Sequence, residues 1–421
     1  MTLLTGTLLS RGRRTVATAL RASGNAQAKD WSLFHHVLNR ACWSPLEGSR
    51  QLLLLIVETF VPEGTCVDLV IDETLERRWG NEISKRGHSR DSALSSKTRS
   101  VSSPGLRWIV MAVVVSLPWT KQRWALPFLC VLAATPTVSE QLGKRHKTVG
   151  MWAHQMVSLL RRWLADRDIK LMGDTAYSVV ELGVHAQKHQ VTLITTGHLD
   201  AVLHEPPPER TAHTIGRPRV VGSRLPSPEE GLHDPQTTWQ QLTLEWYGQG
   251  ERPLKICTGT ALWYHAGLAP LPIRWVLTRD PTGKHPARVL FCTDPTQTAE
   301  HIVRGFLKRW SLEVTFEEGH AHLGIETQRQ WSDLAIERST PLLFGLYSLV
   351  ALFGHALQPD RQIPIAQTAW YHKSMATFRD VLALVRLHLW KLETFSASPA
   401  DSGAILVPRS TLERLSLAGC Y

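Results

Sequence analysis

Apolar positions along the first sixty residues recur at helical spacing, in Val16, Ala19 and Leu20, then Leu33, Val37 and Leu38, then Leu53 to Val57. Thr15, after Gly12-Arg13-Arg14, is a candidate helix cap and Ser23-Gly24-Asn25 a turn. A small helix-turn-helix unit and an ordinary bundle with a basic face both fit this pattern. From Val61 the period changes. Val67 to Asp72, Trp108 to Leu117 and Trp124 to Ala133 are β-branched or apolar runs separated by turn residues, and they predict three consecutive strands. His146 to Arg167 is amphipathic, with Met151, Met156, Leu159, Leu160 and Trp163 on one side. Ile169 to Asp174 reads as a fourth strand. Ser178 and Glu181 have the spacing of a capping box, which predicts a helix running to about Gln190, and Val191 to Thr196 reads as a fifth strand.

After Leu199 the composition shifts to proline and glycine, in Pro206-Pro207-Pro208, Gly216-Arg217-Pro218-Arg219 and Pro226-Ser227-Pro228. Strand-like runs follow at Gln241 to Trp246, Leu254 to Thr258, Ile273 to Arg279 and Ala287 to Cys292. Helical periodicity returns at Thr298 to Gln330, Pro341 to Leu357 and Thr377 to Lys391. Strand, strand, strand, helix, strand, helix, strand is the order of an RNase H-like α/β domain. The expected fold class is therefore α/β. An RNase H-like catalytic domain occupies residues 61–199 and 297–358, and a β-rich insertion over 200–296 interrupts it. A helical region spans 1–60, and a C-terminal helical region and tail span 359–421. The apolar stretch Leu342 to Leu357 is short of the ~18 to 20 residues a membrane span needs, so a buried core helix and no membrane are expected.

Charge narrows the class. The 421 residues, 43% apolar and 20% charged, have ordinary globular composition, and 47 Lys plus Arg against 37 Asp plus Glu leave a net charge of +10. A sequence pI near 9.5 calls for an acidic partner, of which nucleic acid is the commonest. The 6 cysteines (Cys42, Cys66, Cys130, Cys257, Cys292 and Cys420) form no C-x-x-C pair, which argues against a zinc clip or a secreted disulfide framework. A reducing cytoplasm is the expected compartment. Residues 1–29 are basic and free of acids, a composition shared by transit peptides and DNA-facing helices, and the second reading suits the helical pattern better. The polar stretch from Arg77 to Arg99, rich in basic residues, is a loop that could line a phosphate track or merely be solvated.

The chemistry concentrates on one helical face. Phe306, Arg309, Glu313 and His320, spaced by 3, 4 and 7, fall within roughly 60° of one another. Arg309 can hold the carboxylate one turn on, and Glu313 offers the oxygen donor a hard divalent cation prefers. Glu317, on nearly the same face, is a rival ligand, whereas Glu318 points away. Asp72 and Asp174 stand near the ends of two different strands. With Glu313 they make the three-carboxylate set that holds two divalent ions about 4 Å apart around a scissile phosphate. Asp68 and Glu73 are rivals for the first position. His301, His320 and His322 form no zinc pattern with any cysteine. Trp239, Trp246, Trp263 and Trp275 read as core residues of the β-rich segment, and Trp246, beside Tyr247 and Gly248, is the candidate for an exposed base-stacking platform.

The segment from Arg309-Trp310-Ser311-Leu312-Glu313 through Gly324-Ile325-Glu326-Thr327-Gln328-Arg329-Gln330-Trp331 resembles the third-carboxylate region of insertion-sequence transposases of the DDE superfamily. Their signature there is Tyr, Arg, Glu and Lys at the same spacing. Arg309 and Glu313 match it, while Phe306 stands for the Tyr and His320 for the Lys. Val70-Ile71-Asp72-Glu73-Thr74 resembles the first-aspartate strand and Gly173-Asp174-Thr175-Ala176-Tyr177-Ser178 the second. The resemblance covers about residues 61–390. It implies that Asp72, Asp174 and Glu313 bind metal, that Mg²⁺ is the cofactor with Mn²⁺ as a substitute, and that the partners are double-stranded DNA: element terminal inverted repeats and target. The helices of residues 1–60 would read terminal sequence. Arg309, His320, Arg77, Arg78, Lys144, Arg145 and Trp246 are the expected DNA contacts, with Lys147 and Arg161 further basic candidates. A homodimer in the synaptic complex and a bacterial, nucleoid-associated cytoplasmic location go with this reading. A regulator that has lost catalysis, and a metal-dependent nuclease that cuts without joining, are the alternatives.

Overall fold

The computed structural model describes residues 1–96, 98–210, 216–246, 250–358, 363–367, 369–370, 372–395 and 419. Four helices come first, α1 (Thr2–Leu9), α2 (Val16–Ala22), α3 (Trp31–Asn39) and α4 (Pro45–Phe60). Then come β1 (Val67–Arg77), β2 (Gly87–Arg90), β3 (Ser102–Ser116), β4 (Arg123–Leu132), α5 (Pro136–Gln141), α6 (Val149–Trp163), β5 (Ile169–Gly173), α7 (Val180–Lys188) and β6 (Val191–Gly197). The remainder is β7 (Leu203–His204), α8 (Pro228–His233), β8 (Gln240–Glu245), β9 (Glu251–Trp263), β10 (Leu271–Arg279), β11 (Arg288–Cys292), α9 (Ala299–Lys308), α10 (Trp310–Leu323), α11 (Asp333–Leu357) and α12 (Phe378–Phe395). The chain is mixed α/β, with helices at both ends.

One mixed sheet of 11 strands runs through the described residues. β1 lies inside it, antiparallel to β3 (Asp72 opposite Val110) and parallel to β5 (Val70 opposite Met172). Its Val67, Leu69, Val70 and Ile71 are buried, because an inner strand with a parallel neighbour is covered on both faces. β5 continues parallel to β6, while β2 and β4 both pair with β3 at different points along its length. Past β6 the sheet continues antiparallel through β11, β10 and β9, and β7 and β8 both pair with β9. The strands of the 200–296 segment therefore extend the same sheet, joined at Leu290 opposite Thr196. Their own small core of Leu271, Ile273, Leu277, Val289 and Phe291 takes Trp239, Trp263 and Trp275 at its edge.

The helical ends are packed onto this body. α1 packs on α2 and α12, and α11 packs on β4, α3, α4, α10 and α12. Arg14 donates to the carbonyl of His322 at 2.9 Å, and the Arg386 guanidinium donates to that of Leu8 at 2.6 Å. α11 satisfies the length and hydropathy of a membrane span, and its Phe344, Val350 and Ala351 are fully buried in this fold. It is 25 residues long, starting earlier than the apolar stretch suggests, because Ser332 and Asp333 open a helix whose first turns are polar outside and buried inside.

Two local expectations change. Thr15 does cap α2 by accepting from the Thr18 N–H, but Ser178 does not cap α7: its hydroxyl instead accepts from Thr195 at 3.1 Å, and α7 starts after Val179 without a side-chain cap. The helix expected over Thr298 to Gln330 is divided at Arg309. It ends at Gly324, whose φ of 64° is the left-handed C-cap that glycine adopts freely.

Candidate active site

β1 and β5 are adjacent and parallel, so their C-terminal ends open on the same edge of the sheet, the position where open α/β sheets place ligands. Asp174 follows the last residue of β5, whereas Asp72, expected to end its strand, lies midway along the longer β1, two residues past its last pair with β5 and so level with Asp174. The Asp72 Oδ1 accepts from the Glu73 N–H at 2.8 Å. Asp174 caps the 3-10 turn Thr175–Tyr177, its Oδ1 accepting from the Ala176 N–H at 2.9 Å. Gly173 lets that turn close, since a Cβ there would lie 3.0 Å from the Cβ of Tyr177. The third carboxylate arrives on α10. Arg309, at the junction of α9 and α10, donates from Nη1 to Asp72 Oδ2 at 2.6 Å and pairs through Nη2 with Glu313 Oε1 at 2.8 Å. Asp72, Asp174, Glu313 and Arg309 all line one cleft of about 1730 Å³.

The electrostatics of this cleft are unbalanced. Burial pushes the Asp72 carboxyl up to about 7; Arg309 opposes the shift, and the charges of Asp174 and Glu313 add to it. Burial likewise raises Glu73, against its ion pair with Arg107. The Tyr177 phenol is driven well above its ordinary range by burial and by the nearby Glu73, Asp72 and Asp174. Burial works to lower Arg309, but Asp72 and Glu313 outweigh it and hold the guanidinium charged. One guanidinium, Arg309, thus serves both Asp72 and Glu313, while Asp174 adds repulsion at Asp72.

The donor set suits a hard divalent cation, being all carboxylate oxygen with mutual repulsion that added positive charge would relieve. Among the described residues no three acidic, His or Cys side chains stand close enough together to hold an ion, and the Arg309 guanidinium lies between Asp72 and Glu313. The rivals separate. Asp68 pairs with Lys308 one residue before Arg309, so successive cations at the helix junction take successive carboxylates on one face of β1. Glu73 and Glu317 line the cleft, whereas Glu318 pairs with His322 at 3.2 Å.

His320 lines the cleft with its ring 3.8 Å from Glu326. Phe306 is buried, its ring under the Arg309 guanidinium at 5.9 Å. Four of the expected DNA contacts, Arg77, Arg78, Arg161 and Trp246, are corrected, being engaged by the fold itself. Arg78 is 5% exposed and donates to Glu76 and to the Gln328 carbonyl, so it cannot reach a phosphate. Arg77 is drawn into the fold by Asp91 at 2.7 Å and Glu326 at 3.3 Å. The part of the basic stretch that reaches the cleft is instead Arg86 to Arg90, joined by Arg107 and Lys147. Lys144 and Arg145 are exposed on the connection leading to His146 and Lys147, which line it. Arg161 is likewise corrected, donating to the carbonyls of Leu164, Ala165, Arg167, His189 and Gln190. Trp246 is partly buried against the main core and near His285, not an exposed platform, and Tyr247 and Gly248 lie outside the described residues. Arg86, Arg90, Arg107 and Tyr177 are the site residues that sequence reasoning did not single out. The density of cations after β1 was the available signal for the first two, and nothing local marked the others.

A family model described as DDE superfamily endonuclease matches residues 1–258, which include Asp72 and Asp174 but end before Glu313. Among solved structures, the chain is similar to the piggyBac transposase in its synaptic complex with hairpin DNA. The identity is 8% and the TM-score 0.44, over 99% of this chain and 74% of that one. No curated protein matches the chain in sequence.

Proposed function

We propose that this chain, which belongs to the DDE superfamily endonuclease family, is a DNA transposase with an RNase H-like catalytic domain. It acts on the double-stranded ends of an insertion sequence and on a target DNA. One observation carries the reading: Asp72, Asp174 and Glu313, brought by three separate elements, line one cleft, and Arg309 ties two of them together. These three carboxylates would hold a divalent cation, Mg²⁺ with Mn²⁺ as a substitute, which when bound supplies positive charge at the scissile phosphodiester and acidifies water there. The protein's own groups do the positioning. Arg309 fixes the orientation of Asp72 and Glu313 and adds a planar cation suited to phosphate. Arg86, Arg90 and Lys147 on the cleft walls, with the exposed Lys144 and Arg145, hold the DNA backbone. Water attack at the element terminus frees a 3′-hydroxyl, which then attacks the target strand. Two ends brought together call for a homodimer, the N-terminal helices read terminal sequence, and the work takes place on the bacterial nucleoid.

The test is cleavage of DNA carrying the sequences that flank the coding region. Asp72→Ala, Asp174→Ala and Glu313→Ala are each expected to lower cleavage in Mg²⁺ by about a hundredfold or more while leaving DNA affinity within about threefold. Cleavage at the wild-type rate by any of them overturns the assignment. Pre-cleaved ends incubated with a supercoiled target separate the alternatives, because a nuclease gives no joined product and a regulator neither cuts nor joins.

A further inference from the structure

The surface beside the cleft carries two large indoles that the catalytic reading does not use. Trp79 and Trp331 are 72% and 65% exposed, and neither ring has a hydrogen-bond or aromatic partner among the described residues. They flank a seam between two loops that is firmly closed. Arg78 donates to the Gln328 carbonyl, Ser84 to the Asp333 carboxylate, and Lys85, only 7% exposed, pairs with Glu337 and lies 4.0 Å from Asp333. A buried guanidinium–carbonyl bond at Arg78 and the half-exposed pairs of Lys85 tie these loops together, so the indoles are displayed by held backbone. Leaving two such rings in water forgoes substantial hydrophobic stabilisation.

The charge around them is mixed in a useful way. Arg329 is exposed two residues before Trp331, and Arg86 donates to the Trp79 carbonyl at 2.8 Å and to Asn81 Oδ1 at 3.2 Å. Lys85 is shared by the half-exposed Asp333 and Glu337, and Glu82 is a further exposed carboxylate of the loop. Arg86 is also a lining residue of the catalytic cleft, so the Trp79 backbone is one hydrogen bond from the cleft wall. Exposed aromatic rings beside guanidinium groups, one of which also lines the cleft, form the pattern that grips single-stranded nucleic acid. An indole face stacks on a base only where that base is unpaired or at a duplex end. We infer that Trp79 and Trp331 form a stacking platform for unpaired bases of the DNA strand leaving the cleft. This rests on the proposed function only for the identity of the ligand as DNA.

The experiment measures binding of the full chain, in EDTA so that nothing is cut, to fluorescein-labelled DNA by anisotropy. A fully paired duplex is compared with the same duplex carrying a single-stranded tail of six thymidines. The wild-type chain is expected to prefer the tailed DNA. Trp79→Ala and Trp331→Ala should each reduce affinity for it by about fivefold or more, while affinity for the paired duplex stays within about twofold. Trp79→Phe, which keeps a ring, should retain part of the preference. Both side chains are exposed, so an unchanged thermal unfolding curve certifies the variants. A wild-type chain without tail preference, or variants that keep it, overturns the platform. Sedimentation that shows the alanine variants dissociating a dimer, with tail preference intact, overturns it in favour of contact with a second copy. Failure of the platform leaves duplex binding in place; absence of any DNA binding is instead the failure of the proposed function.

Discussion

Asp72 and Glu76 lie on the same face of one strand, two pleat repeats apart, and have opposite fates. Glu76 is fully buried, yet it accepts from the Arg78 guanidinium, from the Trp108 indole N–H and from the Thr340 hydroxyl, each at 2.7 Å. Gln328 supports the last of these by donating to the Thr340 hydroxyl at 3.0 Å. Asp72 is less buried but shares its one guanidinium with Glu313 and faces Asp174, and its carboxyl rises to about 7. The difference lies in the number of donors per carboxylate, not in depth. A carboxylate surrounded by enough donors is structural glue, while a group of carboxylates with too few is poised to take up positive charge.

The comparison breaks most sharply at its two ends. Asp72→Asn should lose nearly all cleavage, as Asp72→Ala does, yet change unfolding free energy by less than about 1 kcal/mol, because no well-satisfied network is lost. Glu76→Ala should do the reverse, destabilising by about 3 to 5 kcal/mol through the stranded Arg78 while the folded fraction still binds DNA. Urea denaturation beside a cleavage assay decides both, and equal destabilisation by the two substitutions would remove the distinction. Arg309→Ala should fall between them, lowering cleavage about ten- to a hundredfold, and Arg309→Lys should restore only part, since a point charge cannot bridge two carboxylates.

The smallest effect concerns a histidine cluster, one member of which, His154, lines the cleft. His154 stacks on His185 and His189 is tilted against it between α6 and the end of α7, with His185 Nε2 2.9 Å from the Ser158 hydroxyl. Burial lowers His154, and burial with the neighbouring His154 and His189 lowers His185. The folded state therefore favours the neutral rings of His154 and His185, while the unfolded chain takes up protons near 6.5. Their stabilising contribution is complete above that pH, shrinks as pH falls through 6.5 toward the lowered folded values, and is lost below them. Denaturation at pH 7.5 and 5.5 should show a smaller acid loss for His185→Gln than for the wild-type chain.

Much of this was legible along the chain because it is local. The spacing of Arg309 and Glu313 put them one helical turn apart, and they pair at 2.8 Å. Asp174 follows β5 as the periodicity required, but β1 runs on past Asp72 to Arg77, because β3 pairs with it over that whole length. The errors came where a residue's partner lies far away in sequence. Arg78 looked like a solvated loop cation until Gln328 and the buried Glu76 surrounded it. Trp246 looked displayable until the core reached it. Ser178 had the spacing of a cap, but β6 supplied Thr195 and took its hydroxyl.

The sequence by itself determined which side chains could carry charge or metal, the element each would ride on and the face it would occupy, because these follow from a repeat of two or of 3.6 residues. Which of those charges would be satisfied and which left in excess was settled by the packing of distant elements. Strand pairing and helix packing bring Arg309 to Asp72 and Thr340 to Glu76 across hundreds of residues, and the balance of donors around a buried carboxylate is a property of that assembled neighbourhood.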